Sequence, residues 1–434
     1  MNKEQTPLKI AIAGLGTVGG GLVTLLHQNQ QIITARAGRP IKVVGVSARS
    51  RAKARSLDLS GMVWFDDPVT MAKTADADVI VELIGGSEGV ARQVVEASLA
   101  SGRSVVTANK ALLATHGVAL AKSAEAAGLA LAAEAAVAGG IPIIKSLREG
   151  LAGNQIARLA GILNGTCNYI LTQMRTTGGD FATILAEAQR LGYAESDPSF
   201  DIDGIDTAHK LALLAAIAFG VAPNLGSVYC EGIGRITPLD ISFAEELGFH
   251  IKLLGIAEQS AAGIALRVHP TMVPMGNPIA HVEGVFNAVL ATGDAVGMSF
   301  YQGRGAGASP TASAVVADLI DLARGRSVPL FSLPVAALQD RPAVAADRHL
   351  GSYYLRLMVR DQAGVIADIS AILRDFSVSL ESMIQRGRST DAAVPLVMTT
   401  HETDEAAMMG ALAKIAKIGA VLEKPQLIRI VKEL

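Results

Sequence analysis

The chain opens with short apolar runs separated by stretches of helical periodicity. KIAIAG from Lys9 reads as a strand, VGGGLVTLLHQNQ as a helix, IKVVGVSA as a second strand, and ADVIVEL and SVVTA as two further strands. Strand and helix in alternation predict a parallel sheet with crossover helices, an α/β fold with a Rossmann-like nucleotide domain over residues 1–137. From 138 to 307 strand-like runs such as ARLAGILNG mix with helices, which suits an α+β substrate and dimerisation domain. The glycines at 303, 305 and 307 open a strong helix from about Thr311, and its apolar face is expected to pack back on the first domain, giving a unit at 308–330. A stretch rich in Pro and Ala reads as a linker over 331–350. From Tyr353 the order is strand, helix, strand, strand, helix, strand, so residues 351–434 predict a ferredoxin-like βαββαβ domain.

Bulk properties narrow the partners. At 434 residues the chain is long for one core, and half of its residues are apolar. A formal net charge of -2, with no Lys/Arg run interleaved with aromatics, gives no footprint for nucleic acid. The longest apolar stretches, near 211–222 and 129–144, are too short or are broken by Glu134 and Pro142, so no membrane span is expected. The apolar run at the N-terminus flows into a glycine motif rather than a small-residue cleavage site, so a soluble, cytoplasmic protein is expected. Cys167 and Cys230 are too few for a disulfide scaffold and lack metal-ligand spacing; both are expected to be buried and reduced.

The chemistry begins at Gly14, Gly16 and Gly19, which fall between the first strand and the first helix with Thr17 and Val18 among them. Glycine there lets the backbone turn tightly and lets a pyrophosphate reach the N–H groups of the helix N-terminus. An acidic residue after the second strand would hold the ribose 2′-hydroxyl of NAD, yet none lies between Gly19 and Asp58. Arg49, Arg51, Lys53 and Arg55 stand there instead, a cluster suited to a 2′-phosphate. NADP(H) is therefore expected over NAD(H), with use of both still open and a solvated basic helix as the plainer alternative. The glycine-rich stretch ending at Gly307 is also positioned to approach the cofactor.

Three further segments carry polar groups. TANK places Lys110 at a strand-to-loop junction on the carboxyl edge of the sheet, where open α/β folds bind ligands. EAAVAGGIPII, from Glu134 to Ile144, offers a carboxylate and a small-residue loop whose carbonyl oxygens suit a hard cation, although such a segment alone is more often a simple loop. The third, Leu191 to Lys210, crowds Glu195, Asp197, Asp201, Asp203, Asp206, His209 and Lys210 against LALLAAIAFG, which has no charge. Asp206 and Lys210 are four apart and share a helix face. Their pairing would keep Lys210 charged, whereas desolvation would lower its pKa; both remain open. The plainer alternative is an acidic loop with Asp203 or Asp206 capping the helix.

GLGTVG at 14–19, TANK at 107–110, EAAVAGGIPII at 134–144, ILNGTCNYI at 162–170, GYAESDPSFDIDGIDTAHK at 192–210 and GRGAG at 303–307 together resemble homoserine dehydrogenases of the monofunctional bacterial type with a C-terminal ACT domain. The resemblance spans nearly the whole chain. It implies reversible reduction of L-aspartate 4-semialdehyde to L-homoserine with NAD(P)H, a step toward threonine, methionine and isoleucine. It further implies Lys210 as proton donor, Asp206 orienting it, Lys110 at the reacting oxygen and the nicotinamide end, and Glu195 on the substrate ammonium. A structural sodium ion is implied at Glu134 with backbone oxygens of Val137, Gly139 and Ile141. The ACT resemblance implies an amino-acid site at the turn from Asp361 to Gly364, feedback by L-threonine, and a homodimer or homotetramer; a domain that only supports oligomerisation is the alternative.

Two rival functions are weighed beside it. An aspartate-semialdehyde dehydrogenase needs a cysteine nucleophile, for which Cys167 is the candidate, but the 191–210 segment would go unexplained. A nucleotide-bound sensor would need neither Lys110 nor Asp206 nor Lys210.

Overall fold

The computed structural model describes residues 6–51, 57–386 and 392–432. The chain divides into two compact units, one comprising Met1–Leu159, Ala208–Gly226 and Phe286–Arg341, the other Ala160–Thr207, Ser227–Val285 and Pro342–Leu434.

The first unit is built on six strands, β1 (Leu8–Ala13), β2 (Ile41–Ser47), β3 (Val63–Phe65), β4 (Val79–Glu82), β5 (Ser104–Thr107) and β6 (Leu131–Ala132). All pair in parallel, in the order β3-β2-β1-β4-β5-β6. Helices α1 (Thr17–Gln28), α2 (Gln30–Ala37), α3 (Pro68–Thr74), α4 (Val90–Ala100) and α5 (Lys110–Ala126) make the crossovers, and a short α6 (Ile143–Lys145) follows. Ile10, Ile12, Ile80, Val81 and Val106 are fully buried, as expected of strands covered on both faces. Each such side chain contributes roughly 1.5–3 kcal/mol by burial. Because the chain leaves β1 toward β2 but re-enters the sheet beyond β1 at β4, a crevice forms at their carboxyl ends, the usual ligand position of a doubly wound sheet.

Next come β7 (Ile156–Ile162), α7 (Gly165–Thr177), α8 (Phe181–Arg190), α9 (Ser199–Ile202) and α10 (Ile205–Phe219). They are followed by β8 (Tyr229–Cys230), α11 (Pro238–Glu246) and a long antiparallel hairpin, β9 (Phe249–Ser260) with β10 (Gly263–Pro274). A second hairpin, β11 (Phe286–Gly293) with β12 (Gly297–Arg304), belongs to the first unit, as does α12 (Ala308–Ala323). Val315 and Leu319 of α12 share a core with Leu22, Val23 and Leu26 of α1. Ser332 and Gln339 bond to the carbonyls of Ile217 and Gly220, at 2.8 Å each, within the same unit.

The chain ends with β13 (Leu350–Val359), α13 (Val365–Asp375), β14 (Leu380–Gln385), β15 (Val394–Thr400), the two-residue β16 (Thr403–Asp404), α14 (Glu405–Ile415) and β17 (Gln426–Ile430). The apolar positions Val365, Ile369 and Leu373, spaced four apart, turn α13 onto Leu355 and Leu357 of the sheet, and Met408 and Ile415 do the same for α14. The strands run in the order β17-β13-β15-β14, antiparallel throughout. β17 also pairs in parallel with β10, so these strands and the β9–β10 hairpin form one mixed sheet in the second unit. No helix among the described residues is long and apolar enough to cross a membrane.

Candidate functional site

The crevice at the carboxyl edge of the parallel sheet is a cleft of about 490 Å³, lined by Gly14, Gly16, Ser47, Arg49, Asp66 and Leu83 among others. Gly14 is held by an N–H bond of 2.8 Å to the Ser47 carbonyl at φ +106°, and a Cβ there would stand 2.6 Å from the Leu83 carbonyl oxygen, so only glycine fits. A Cβ on Gly19 would collide with the Gly14 carbonyl, which fixes how closely α1 approaches the turn. Gly16 caps α1 without a side chain and faces open space, so the N–H groups from Thr17 and Val18 onward are accessible to an anion. Gly307 (φ +119°) caps α12, and Ala308 packs against Gly21 of α1. Arg49 lies in the cleft, the Arg51 guanidinium sits 5.7 Å from the Trp64 ring, and Lys53 lies outside the described residues. Asp66, which no motif marks in the sequence, lines the same cleft and accepts the Trp64 indole N–H at 2.9 Å.

Lys110 is the first residue of α5, and a buried network sets that helix start. Glu82, fully buried at the end of β4, accepts the N–H groups of Ile84 (2.7 Å) and Gly85 (3.0 Å) with one oxygen and the Thr107 hydroxyl (2.6 Å) with the other. Thr107 in turn accepts the Asn109 N–H at 3.0 Å. The Asn109 side chain accepts the Leu112 N–H, capping α5, and donates to the Gly86 carbonyl at 2.7 Å. One carboxylate thus joins the loop after β4 to the loop that carries Lys110. Three charge-assisted bonds explain how it is tolerated in a buried position. Within the run ADVIVEL its one signal is a charge at the carboxyl end of the aliphatic stretch, where Asp78 stands before it.

The acidic part of the 191–210 segment, which lies in the second unit as far as Thr207, is organised by a residue outside it. The Asn164 amide N–H₂ donates to Asp201 (2.8 Å) and to Asp206 (2.9 Å), while its carbonyl oxygen accepts the Cys167 N–H and caps α7. Asp206 is buried in the first turn of α10. Lys210 follows one turn later on that helix and is half-buried. Asp203 ends α9 rather than capping α10, and Glu195 is exposed on the loop, its carbonyl bonded by Gln189 at 2.9 Å. Cys167 has no exposed surface and its thiol lies 3.2 Å from the Asp201 carbonyl, an unsuitable setting for a nucleophile.

Glu134 is buried, and its two oxygens accept the N–H groups of Ile144 (3.0 Å) and Lys145 (2.8 Å). Burial, reinforced by the neighbouring Asp318 carboxylate, pushes its pKa up to about 7. Val137 and Ile141 are buried, and left-handed backbone at Ala138 (φ 55°) and Gly139 (φ 47°) bends the loop between them. Ile141 already accepts an N–H from Ile143 at 2.8 Å. The donor set is all oxygen, mostly carbonyl, and carries at most one charge, which fits a monovalent hard cation better than a divalent one. Among the described residues no group of three or more His, Cys, Asp or Glu could hold a metal ion. At the far end of the chain, Gly364 (φ +95°) caps α13, and Asp361 lies in the preceding turn.

Two family models match this chain. The model described as homoserine dehydrogenase covers residues 142–320, and the homoserine dehydrogenase NAD-binding domain covers 14–134. The chain is 45% identical over 425 residues to a homoserine dehydrogenase of Neisseria gonorrhoeae, spanning 96% of this chain and 97% of that one. It is 44% identical to one of Pseudomonas aeruginosa, with 96% of each chain covered. A homoserine dehydrogenase structure from Thiobacillus denitrificans superposes with a TM-score of 0.93 at 48% identity, covering 98% of both chains.

Proposed function

The chain belongs to the homoserine dehydrogenase family of NAD(P)-dependent oxidoreductases, and on that premise we propose that it reduces L-aspartate 4-semialdehyde with NADPH in preference to NADH, under feedback by L-threonine. The observation that carries the catalytic part is the Asn164 amide, which holds Asp206 beside Asp201 one helical turn before Lys210.

Gly14, Gly16, Thr17, Val18 and Gly19 would hold the nicotinamide cofactor, which when bound would supply the hydride for the aldehyde carbon. As the carbonyl π bond is lost, Lys210 gives its proton to the oxygen, forming the alcohol. Asp206, locked by Asn164, keeps the Lys210 ammonium oriented. Lys110 donates to the same oxygen from the start of α5, held there by Glu82, Thr107 and Asn109. Glu195, with Asp206, receives the substrate ammonium. Glu134, with backbone oxygens of Val137, Gly139 and Ile141, would hold a sodium-type cation in a structural role. Arg49 in the cleft, with Lys53 after it in sequence, supports selection for the 2′-phosphate; the glycine-rich stretch ending at Gly307 would approach the cofactor. The βαββαβ order of the last strands and the glycine turn at Asp361–Gly364 support an ACT domain that binds threonine.

NADPH oxidation with L-aspartate 4-semialdehyde tests the reading. Lys210→Ala should lower turnover by roughly 10²–10⁴, the usual range for a lost general acid, with NADPH binding retained. Full turnover in that variant removes Lys210 from the mechanism, and NADPH binding without turnover in the wild type favours the sensor. Threonine titration of the same assay should show inhibition that Gly364→Val abolishes.

A further inference from the structure

Apart from the dinucleotide cleft, the first unit contains a cavity of about 310 Å³ between β6, the turn Ser146–Gly150 and the C-terminal end of α12. Arg39, just before β2, donates to the Ala323 carbonyl at 3.0 Å, and Arg324 donates to the Arg36 carbonyl at 2.6 Å. This end of α12 therefore lies at the amino edge of the parallel sheet, whereas Gly14 and Gly16 lie at its carboxyl edge. A ligand here would not share the cofactor's position.

The lining carries both signs of charge. Arg148, on a turn wound as π-helix, has a side chain only 6% exposed; one Nη bonds Glu149 at 3.0 Å, and Nε has no partner among the described protein atoms. A buried guanidinium N–H without an acceptor is destabilising, and the planar guanidinium is shaped to take a carboxylate through Nε and Nη together. Arg326 adds a second cation at the rim. A lone anion would also face Asp321, which already pairs with the Lys145 ammonium, and Glu149, which pairs with Arg148; both line the same space. The occupant that answers both is a carboxylate with an ammonium beside it. Leu131 and Val328 complete the wall with apolar surface, and the volume is at the low end for small-molecule sites, so the side chain must be small and aliphatic.

We propose that this cavity binds a small aliphatic α-amino acid, its carboxylate on Arg148 and Arg326 and its ammonium at Asp321 and Glu149. The site is separate from the C-terminal turn and does not depend on the threonine reading. It touches Asp318, which also lines the cavity and accepts the Glu134 N–H at 2.8 Å, so occupancy bears directly on the loop that begins at Glu134.

Calorimetric titration of the full-length protein with L-valine tests this, with isovalerate and L-valinamide as probes lacking the ammonium or the carboxylate. Saturable binding of one L-valine per chain is expected, at least about tenfold weaker for either probe and for Arg148→Gln, the loss of one charged hydrogen bond. Because Arg148 is buried, Val328→Trp provides the second test: it fills the cavity from the rim, leaves Arg148 intact, and should weaken L-valine by at least the same factor with an unchanged melting temperature. Absence of saturable L-valine binding at millimolar concentration overturns the proposal. So does undiminished binding in Val328→Trp, which would put the amino acid elsewhere.

Discussion

The two sheets of this molecule treat charge in opposite ways. In the parallel sheet Ile10, Ile12, Val79, Val81, Val105 and Val106 are buried aliphatics, and the buried carboxylate Glu82 stands at a strand's carboxyl end. The mixed sheet carries Lys252, Arg267, His269, Arg356 and Arg429 through its interior, each at most 7% exposed. In the first case a buried charge marks the edge where chemistry occurs. In the second it marks where segments distant in sequence dock: Arg356 of β13 makes bonds of 2.7 and 3.1 Å to Asp240 of α11, with the Tyr354 hydroxyl donating to the same carboxylate at 3.2 Å. Arg429 of β17 meets Glu405 and, at 2.9 Å, Glu231. Such pairs are weak evidence for net stability, since an apolar replacement of both partners can do as well, but removing one partner strands the other in low dielectric.

The largest effect should come from breaking these docking pairs. Asp240→Ala leaves the Arg356 guanidinium and the Tyr354 hydroxyl without their shared acceptor and also removes the Thr237 capping box of α11. A loss of about 3–5 kcal/mol is expected in urea unfolding. If Asp240→Ala costs less than about 1 kcal/mol, buried charge in the mixed sheet does not hold the docking, and the contrast with the parallel sheet fails. The double variant Asp240→Leu with Arg356→Met should recover most of the loss, because no uncompensated charge is left.

Next in size is Glu82→Gln. The amide keeps the shape but turns a donor, its NH₂, toward donors: Ile84 N–H, Gly85 N–H and the Thr107 hydroxyl already claim both oxygens. About 1.5–3 kcal/mol is expected from one lost charged bond and one mismatched donor. The variant sharpens the comparison through its second readout. Because the network fixes the start of α5, turnover should fall while the KM for the aldehyde changes little; a drop in stability with turnover intact would make Glu82 a scaffold group only.

These two cases also show why some of the molecule was readable in sequence and some was not. Gly14, Gly16 and Gly19 announce themselves because their requirement is local backbone geometry, and the charge density of 191–210 against an apolar helix is equally local. The Asn164 amide that ties Asp206 to Asp201 lies 42 and 37 residues from its partners, and the motif around it drew attention only to Cys167. The partner of Arg356 is 116 residues away, and Glu231, just after β8, is 198 from Arg429. Spacing carries no record of such pairs, since they exist only once β10, β13 and β17 lie side by side. Asp66 was invisible for a different reason: it follows β3, a three-residue strand too short to be seen as a strand at all.

The smallest effect separates Lys252 from the arginines of its own sheet. Its ammonium donates to the Val282 carbonyl at 2.6 Å and approaches the Asn168 side-chain oxygen at 3.4 Å, so it meets neutral oxygens where Arg356 and Arg429 meet carboxylates. Desolvation accordingly lowers its pKa to about 8, the Glu283 carboxylate only partly opposing the shift. A lysine whose folded pKa lies below its unfolded value of 10.5 binds fewer protons in the folded state between those two values. Stability therefore carries the full burial penalty below pH 8 and gains as pH rises from about 8 toward 10.5. The slope cannot exceed the single-proton limit of about 1.4 kcal/mol per pH unit. Lys252→Met removes the proton but keeps most of the stem, so the difference in unfolding free energy between wild type and variant should shift in the wild type's favour, by on the order of 1 kcal/mol, between pH 7.5 and 9.5. The arginines cannot titrate in that window, so Arg356→Met should give a difference that does not move with pH. Parallel pH curves for wild type and Lys252→Met would mean that the ammonium is already compensated, and Lys252 would then join the docking charges.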